Sequence, residues 1–126
     1  MAFENLQSQQ FMNLITYRKS GVEVRTPVWF VQDGAHLYVM TGKDAGKIKR
    51  IRNNPSITVE PSDRTGKTLG DAVAARAQLI SDPAIEARAI TLINQKYGFM
   101  KRMFDFMALL SGGLKNRAYI EITPVA

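Results

Sequence analysis

The run Thr41-Gly42-Lys43-Asp44-Ala45-Gly46-Lys47-Ile48-Lys49-Arg50-Ile51-Arg52 places five cations, Lys43, Lys47, Lys49, Arg50 and Arg52, within ten positions of a 126-residue chain. It follows a strand-like segment and opens a helix-like one. A helix N-terminus presents unpaired N–H groups and the positive end of the backbone dipole, so phosphate is favoured there before any side chain helps. Lys43, Lys47 and Arg50 are spaced i, i+4, i+7 and would share one helix face, while Gly42 and Gly46 would let an anion approach the backbone. The alternative is a solvated basic helix in which only Ile48 and Ile51 are buried. The spacing matches neither a P-loop nor a Rossmann fingerprint.

A second feature is Pro27 inside an alternating strand, where it donates no ladder hydrogen bond and so implies an edge or a bulge. Trp29 lies two residues on, on the same face. A flat heteroaromatic ligand could rest there, or Trp29 could pack beneath the terminal helices. His36, the only histidine, follows a hairpin and shows no evident partner. The chain has no Cys, which excludes a disulfide framework, a thiolate metal site, a Cys nucleophile and a redox dithiol. Glu86, Glu121 and the scattered aspartates form no carboxylate pair, so neither a catalytic side chain nor a metal site is expected.

The elements that must position these residues follow from periodicity. Phe11 to Tyr17 is rich in β-formers and ends in Arg18-Lys19-Ser20-Gly21. From Val22 to Val31, Val22, Val24, Thr26, Val28 and Phe30 share one face and Glu23, Arg25, Pro27 and Trp29 the other. Asp33-Gly34 is a hairpin signal launching Leu37 to Thr41, so three strands in a row read as a meander. A short helix over Ala45 to Asn53 stops at Asn54-Pro55, and Ser56 to Glu60 is another strand before the polar loop Asp63 to Lys67. Ala72 to Ile80 has helical propensity but the length and position of a strand, and is taken as one. Asp82-Pro83 starts a helix, Ile85, Ala89, Leu92 and Ile93 line one face, and Gly98 stops it. Phe99 to Leu110 forms a second helical piece with more apolar surface than one stripe needs, suiting core or subunit interface better than a ligand pocket, up to Ser111-Gly112-Gly113. Arg117 to Thr123, with Ala118, Ile120 and Ile122 inward, is the last strand.

The sum is a mainly β fold: one domain over residues 1–126, with six strands, a short helix between strands and a C-terminal helical segment. Short strands joined mainly by hairpins usually close into a barrel, and a small barrel fills its own interior, so a ligand must bind outside or between copies. With 17 Lys and Arg against 11 Asp and Glu the net charge is +6. The positive charge is concentrated at one turn without interleaved aromatics, which disfavours single-stranded nucleic acid as a partner. With no apolar run resembling a span or a leader, a cytoplasmic protein with no membrane partner is expected.

Read together, Leu14-Ile15-Thr16-Tyr17-Arg18-Lys19, Thr26-Pro27-Val28-Trp29-Phe30, Leu37-Tyr38-Val39-Met40-Thr41-Gly42, Lys47-Ile48-Lys49-Arg50-Ile51-Arg52-Asn53-Asn54-Pro55, Lys96-Tyr97-Gly98 and Ile120-Glu121-Ile122-Thr123-Pro124 resemble the pyridoxamine 5′-phosphate oxidase-like split-barrel superfamily. The likeness is greatest to its coenzyme F420-dependent oxidoreductase branch. It implies a six-stranded split barrel, homodimeric, with two cofactors in grooves between subunits. It further implies that Thr41, Gly42, Lys43 and Lys47 hold cofactor phosphate and that Pro27, Val28 and Trp29 lie along the tricyclic ring. The implied reaction is hydride transfer to or from a small unsaturated or electron-poor substrate, with the protein supplying position and electrostatics. The deazaflavin F420 is the expected cofactor, its acidic tail steered by Lys49, Arg50, Arg52 and Arg64. FMN is the alternative, and a non-catalytic module holding a flavin, tetrapyrrole or haem is a third reading. The family's Arg- and Trp-bearing terminal segment has no counterpart before Pro124-Val125-Ala126, which disfavours vitamin B6 oxidation.

Overall fold

The computed structural model describes the backbone of residues 3–110 and 117–125, and the side chains of residues 3–98 and 117–125. Among these, a 3-10 turn at Glu4–Leu6 precedes β1 (Phe11–Tyr17), β2 (Glu23–Trp29), β3 (Val31–Asp33), β4 (His36–Gly42), α1 (Gly46–Asn53), β5 (Ser56–Ser62), β6 (Val73–Leu79), α2 (Pro83–Leu110) and β7 (Arg117–Pro124). All strand pairs are antiparallel, in the order β2-β1-β5-β6-β7-β4-β3. The two edge strands, β2 and β3, are separated along the chain by Phe30 alone. A sheet whose ends are joined by one residue must curl until they meet, and the result is a barrel split along that line.

Two expectations fail here. The segment Val22 to Val31 is two strands rather than one, giving seven strands among the described residues, and Val22 lies outside them, 52% exposed. The first strands also form no meander, because β2 pairs only with β1 whereas β4 pairs with β3 and β7. The physical reason is that inward alternation continues through Val28 and Phe30, both buried, while the hydrogen-bond partner changes from one edge of the sheet to the other. Period-two patterning reports which face is buried and is blind to which strand lies alongside. The alanine-rich segment is a strand, β6, with Ala75 and Ala77 facing inward.

Inward residues of the strands, among them Met12, Leu14, Leu37, Val39, Val59, Ile120 and Ile122, fill the barrel, and α1 adds Ile48 and Ile51 to the same core. Each such side chain contributes roughly 1.5–3 kcal/mol on burial. A second core lies outside the sheet, where Ala89, Ile93 and Tyr97 of α2 pack on Val31, Tyr38 and Tyr119. Asp82 caps α2 by accepting from the Ala84 N–H (2.9 Å), and Pro83 occupies the first helical position. Arg88 ties the helix to the β3–β4 hairpin through a fork onto both oxygens of Asp33, at 2.6 and 2.9 Å.

The junction at Phe30 has its own fastening. With no strand opposite, its backbone groups are satisfied by two consecutive side chains of α2: Phe30 N–H donates to the Tyr97 hydroxyl (2.9 Å) and Lys96 Nζ donates to the Phe30 carbonyl (2.8 Å). The Tyr97 hydroxyl can then donate to Gln10 O, 2.7 Å away at the entry to β1. The Lys96 ammonium also lies 3.7 Å from the centroid of the Phe30 ring. Lys96 is exposed as a residue, yet burial of its amine pulls the pKa down to about 8.

Directly after this clamp, Gly98 adopts φ 51°, ψ −123° and interrupts α2. The expected stop is thus a kink, with helical backbone continuing to Leu110. The side chains expected to give that second piece its apolar surface, and the Ser111-Gly112-Gly113 stop, lie outside the described residues. A Cβ at Gly98 would meet nothing within 4 Å, so its conformation alone sets the effect of substitution. Gly98→Ala is expected to destabilise the protein by about 1–3 kcal/mol, visible as a lowered midpoint in denaturant. An unchanged midpoint would show that the kink is not required.

Candidate functional site

β2 is an edge strand, so the missing N–H of Pro27 leaves no ladder bond unmade on the open side. Its outer flank is braced by a buried polar network. Asn13 Nδ2 donates to Glu60 Oε1 (3.1 Å) and to the Gly66 carbonyl (2.8 Å), and Glu60 Oε1 also receives Thr68 Oγ1 (3.0 Å) and pairs with Arg25 Nε (3.1 Å). This holds the loop after β5 against Pro27, with Gly66 at φ 93° so close that a Cβ there would stand 3.8 Å from the proline ring. Trp29 stacks on Tyr97, ring centroids 4.4 Å apart and planes 10° from parallel. Trp29 therefore packs against α2 on one side, and it also lines an open groove.

That groove encloses about 270 Å³ and is lined by Phe11, Pro27, Val28, Trp29, Met40 and Lys47. Pro27, Val28, Trp29 and Lys47, picked out from sequence, are thus brought together. Thr41 is half-buried and Gly42 exposed at the end of β4, between the strand and the turn into α1, and neither lines the groove. Lys43 does not join Lys47. It lines a separate groove of about 820 Å³ with Ile48, Arg52, Leu79, Ile80 and Arg117. The expected common face fails because α1 starts only at Gly46, leaving Lys43 on the preceding turn and outside the helical spacing.

The electrostatics of the first groove are unusual. Lys47 is half-buried, and its amine is pulled below the ordinary lysine value, first by burial and then by the charge of Arg50. Arg50 is itself depressed by burial and by Arg18. Among the described residues no carboxylate pairs with Lys47 or Arg50. Arg50 folds back over the first turn of α1, donating from Nε to Thr16 Oγ1 (2.6 Å). Its Nη1 lies 2.7 Å from where a Cβ on Gly46 would stand, so the absent side chain at 46 is what makes room for the guanidinium. Ala45 at the N-cap contributes no side-chain acceptor, leaving the first-turn N–H groups uncapped by any side chain. The residue spacing groups Arg50 with Lys47 on one helix face, whereas the resemblance gives it only the distant role of steering a tail.

His36, by contrast, has a partner that the sequence did not reveal: Nδ1 lies 3.3 Å from Glu121 Oε2, and Gln78 Nε2 donates to the other oxygen at 3.0 Å. The pair lies across the β4–β7 ladder, away from the groove lining.

A model of the pyridoxamine 5′-phosphate oxidase family matches residues 2–126. The chain belongs to this family. Family membership agrees with the split barrel, and solved structures repeat its shape. The haem storage protein HutZ of Vibrio cholerae shares 16% identity over 98% of this chain and 87% of its own, with a TM-score of 0.71. An FAD-binding protein of Mesorhizobium loti shares 15% over 98% and 84%, TM-score 0.65. An F420 reductase shares 18% over 98% and 93%, TM-score 0.62. No curated protein matches the sequence. At such identities the family likeness extends to the fold, while the groove must be read from its own residues.

Two desolvated cations without a counterion destabilise each other until an anion arrives. Because the folded Lys47 amine titrates below its unfolded value, the native state binds fewer protons than the unfolded chain between the two values, and this group's contribution makes stability rise with pH across that window. Lys47→Met is therefore expected to raise the thermal midpoint of the ligand-free protein slightly while weakening binding of a phosphorylated ligand about tenfold or more. Calorimetric melting and titration measure both. A lowered midpoint with unchanged affinity would contradict the electrostatic account.

Proposed function

We propose that the groove takes a flavin-type redox cofactor, F420 first and FMN as the alternative, and that the protein is an oxidoreductase moving a hydride between it and a small unsaturated or electron-poor substrate. The single observation that carries this reading is the Lys47–Arg50 pair, desolvated and without a carboxylate, beside an apolar wall of Pro27, Val28, Trp29 and Met40. Such a donor set fits a phosphate at one end and a flat ring at the other. When bound, the cofactor ring supplies the hydride chemistry. Lys47, Arg50 and the uncapped first turn of α1 would receive the phosphate, with Thr41 and Gly42 at the preceding end of β4 and Lys43 lining the separate groove. Pro27 and Val28 offer a flat, apolar backing, and Trp29 excludes water on one side. The exposed cations Lys49, Arg52 and Arg64 favour F420, whose acidic tail they attract at long range.

A groove of about 270 Å³ is below the usual range of roughly 300–1,000 Å³ for small-molecule sites. A homodimer, in which a second copy supplies the facing wall, is the arrangement that encloses a tricyclic ring here. Among the described residues lining the groove Lys47 is the titratable one, and in this reading its charge holds the phosphate. The same observation favours the second reading, a module that holds a flavin, tetrapyrrole or haem without turnover.

Titration of purified protein with F420 and FMN, followed by absorbance, is expected to give micromolar binding of F420, and reduced F420 is expected to be reoxidised by an enone acceptor. Binding of FMN alone would move the assignment to a flavoprotein, and binding without turnover to the second reading. A strictly monomeric protein that binds neither would sink the proposal.

A further inference from the structure

Tyr97 does not line the groove, yet it touches both residues that form the groove's aromatic wall or their immediate neighbours. Its ring stacks on Trp29, and its hydroxyl accepts from Phe30 N–H at 2.9 Å and lies 2.7 Å from Gln10 O. Gln10 precedes Phe11 and Phe30 follows Trp29, and Phe11 and Trp29 are opposite each other in the β1–β2 register. One phenol thus holds the backbone on both sides of a cross-strand pair. Lys96 takes up the Phe30 carbonyl, which leaves the single Tyr97 proton for Gln10 and every group in the cluster satisfied.

We infer that Tyr97 is a positioning residue for the cofactor groove, setting the Phe11–Trp29 wall at the separation from Lys47 that a ring and its phosphate need. The inference rests on the reading of the groove given above and adds a residue on α2 to it. Ring and hydroxyl have separable duties. The stack fixes the plane of the indole, and the hydroxyl fixes how far the two strand ends stand from the split. Gly98, next in the chain, turns the backbone away directly behind the tyrosine, so the following helical piece does not carry Tyr97 with it.

The experiment compares Tyr97→Phe, which keeps the ring, Tyr97→Leu, which removes it, and Ile122→Val, which loosens the barrel interior at a position outside the cluster of Tyr97 and Trp29. Affinity for F420 and FMN is measured by titration. Because Trp29 is the only tryptophan, its emission and acrylamide quenching report the wall directly. Tyr97→Phe is expected to weaken cofactor binding about tenfold, the effect of one or two lost hydrogen bonds. Tyr97→Leu is expected to weaken it further and to make Trp29 markedly more accessible to quencher, whereas Ile122→Val lowers the melting midpoint and leaves affinity and quenching as in the wild type. Wild-type affinity in both Tyr97 variants, or an equal loss in Ile122→Val, would overturn the inference. Failure of the wild-type protein to bind either cofactor is read in its own titration, and would overturn the groove reading and this inference with it.

Discussion

The architecture depends on how one peptide unit is satisfied. Phe30 stands where the chain leaves one edge of a seven-stranded sheet and enters the other, so neither neighbouring strand can complete its hydrogen bonds. A buried N–H or C=O without a partner costs on the order of 1–3 kcal/mol, and here two would coincide. Tyr97 and Lys96 remove that cost from outside the barrel. The consequence is a linkage between layers: the closure of the sheet, the seat of α2 and the orientation of Trp29 are fixed by the same few contacts. Tyr97 also packs with Ile93, Tyr38 and Tyr119 in the outer core.

Against this rigid frame the groove is electrostatically unfinished. At other places cations meet carboxylates, as Arg88 does Asp33 and Arg25 does buried Glu60. At the start of α1, Lys47 and Arg50 are instead brought together, partly shielded from solvent, with Gly46 giving up its side chain so that the guanidinium can lie over the first turn. Stability alone would not select that arrangement, because the charge of Arg50 depresses the ionisation of Lys47 and that of Arg18 the ionisation of Arg50. A site held ready for a dianion would, since the same repulsion becomes attraction once the ligand's charge is present.

Much of this was legible in the residues. The β-formers of Phe11 to Tyr17, the alternation in Arg117 to Thr123, the Asp82-Pro83 start and Pro27 as an edge marker all report local backbone preferences, which a single segment carries by itself. The division at Phe30 was not legible, because Val28 and Phe30 keep the same inward rhythm on both sides of it. Lys43 and Lys47 separated because Lys43 precedes the helix, whether it starts at Ala45 as the periodicity suggested or at Gly46 as found, and the i, i+4 rule applies only within a helix. Tyr97 looked like one more residue of an amphipathic face. Its hydroxyl contacts lie 67 and 87 positions away, and no local pattern encodes a partner that distant.

Pro27 has one further effect, on what neighbouring molecules can do. An exposed sheet margin is a template on which a foreign chain can add its own backbone, and growth of that kind ends in fibrils. Here one margin is β3, only three residues long, and the other carries a proline that withholds a donor midway along β2. The feature that flattens one side of the groove therefore also denies an incoming strand its purchase on the open ladder.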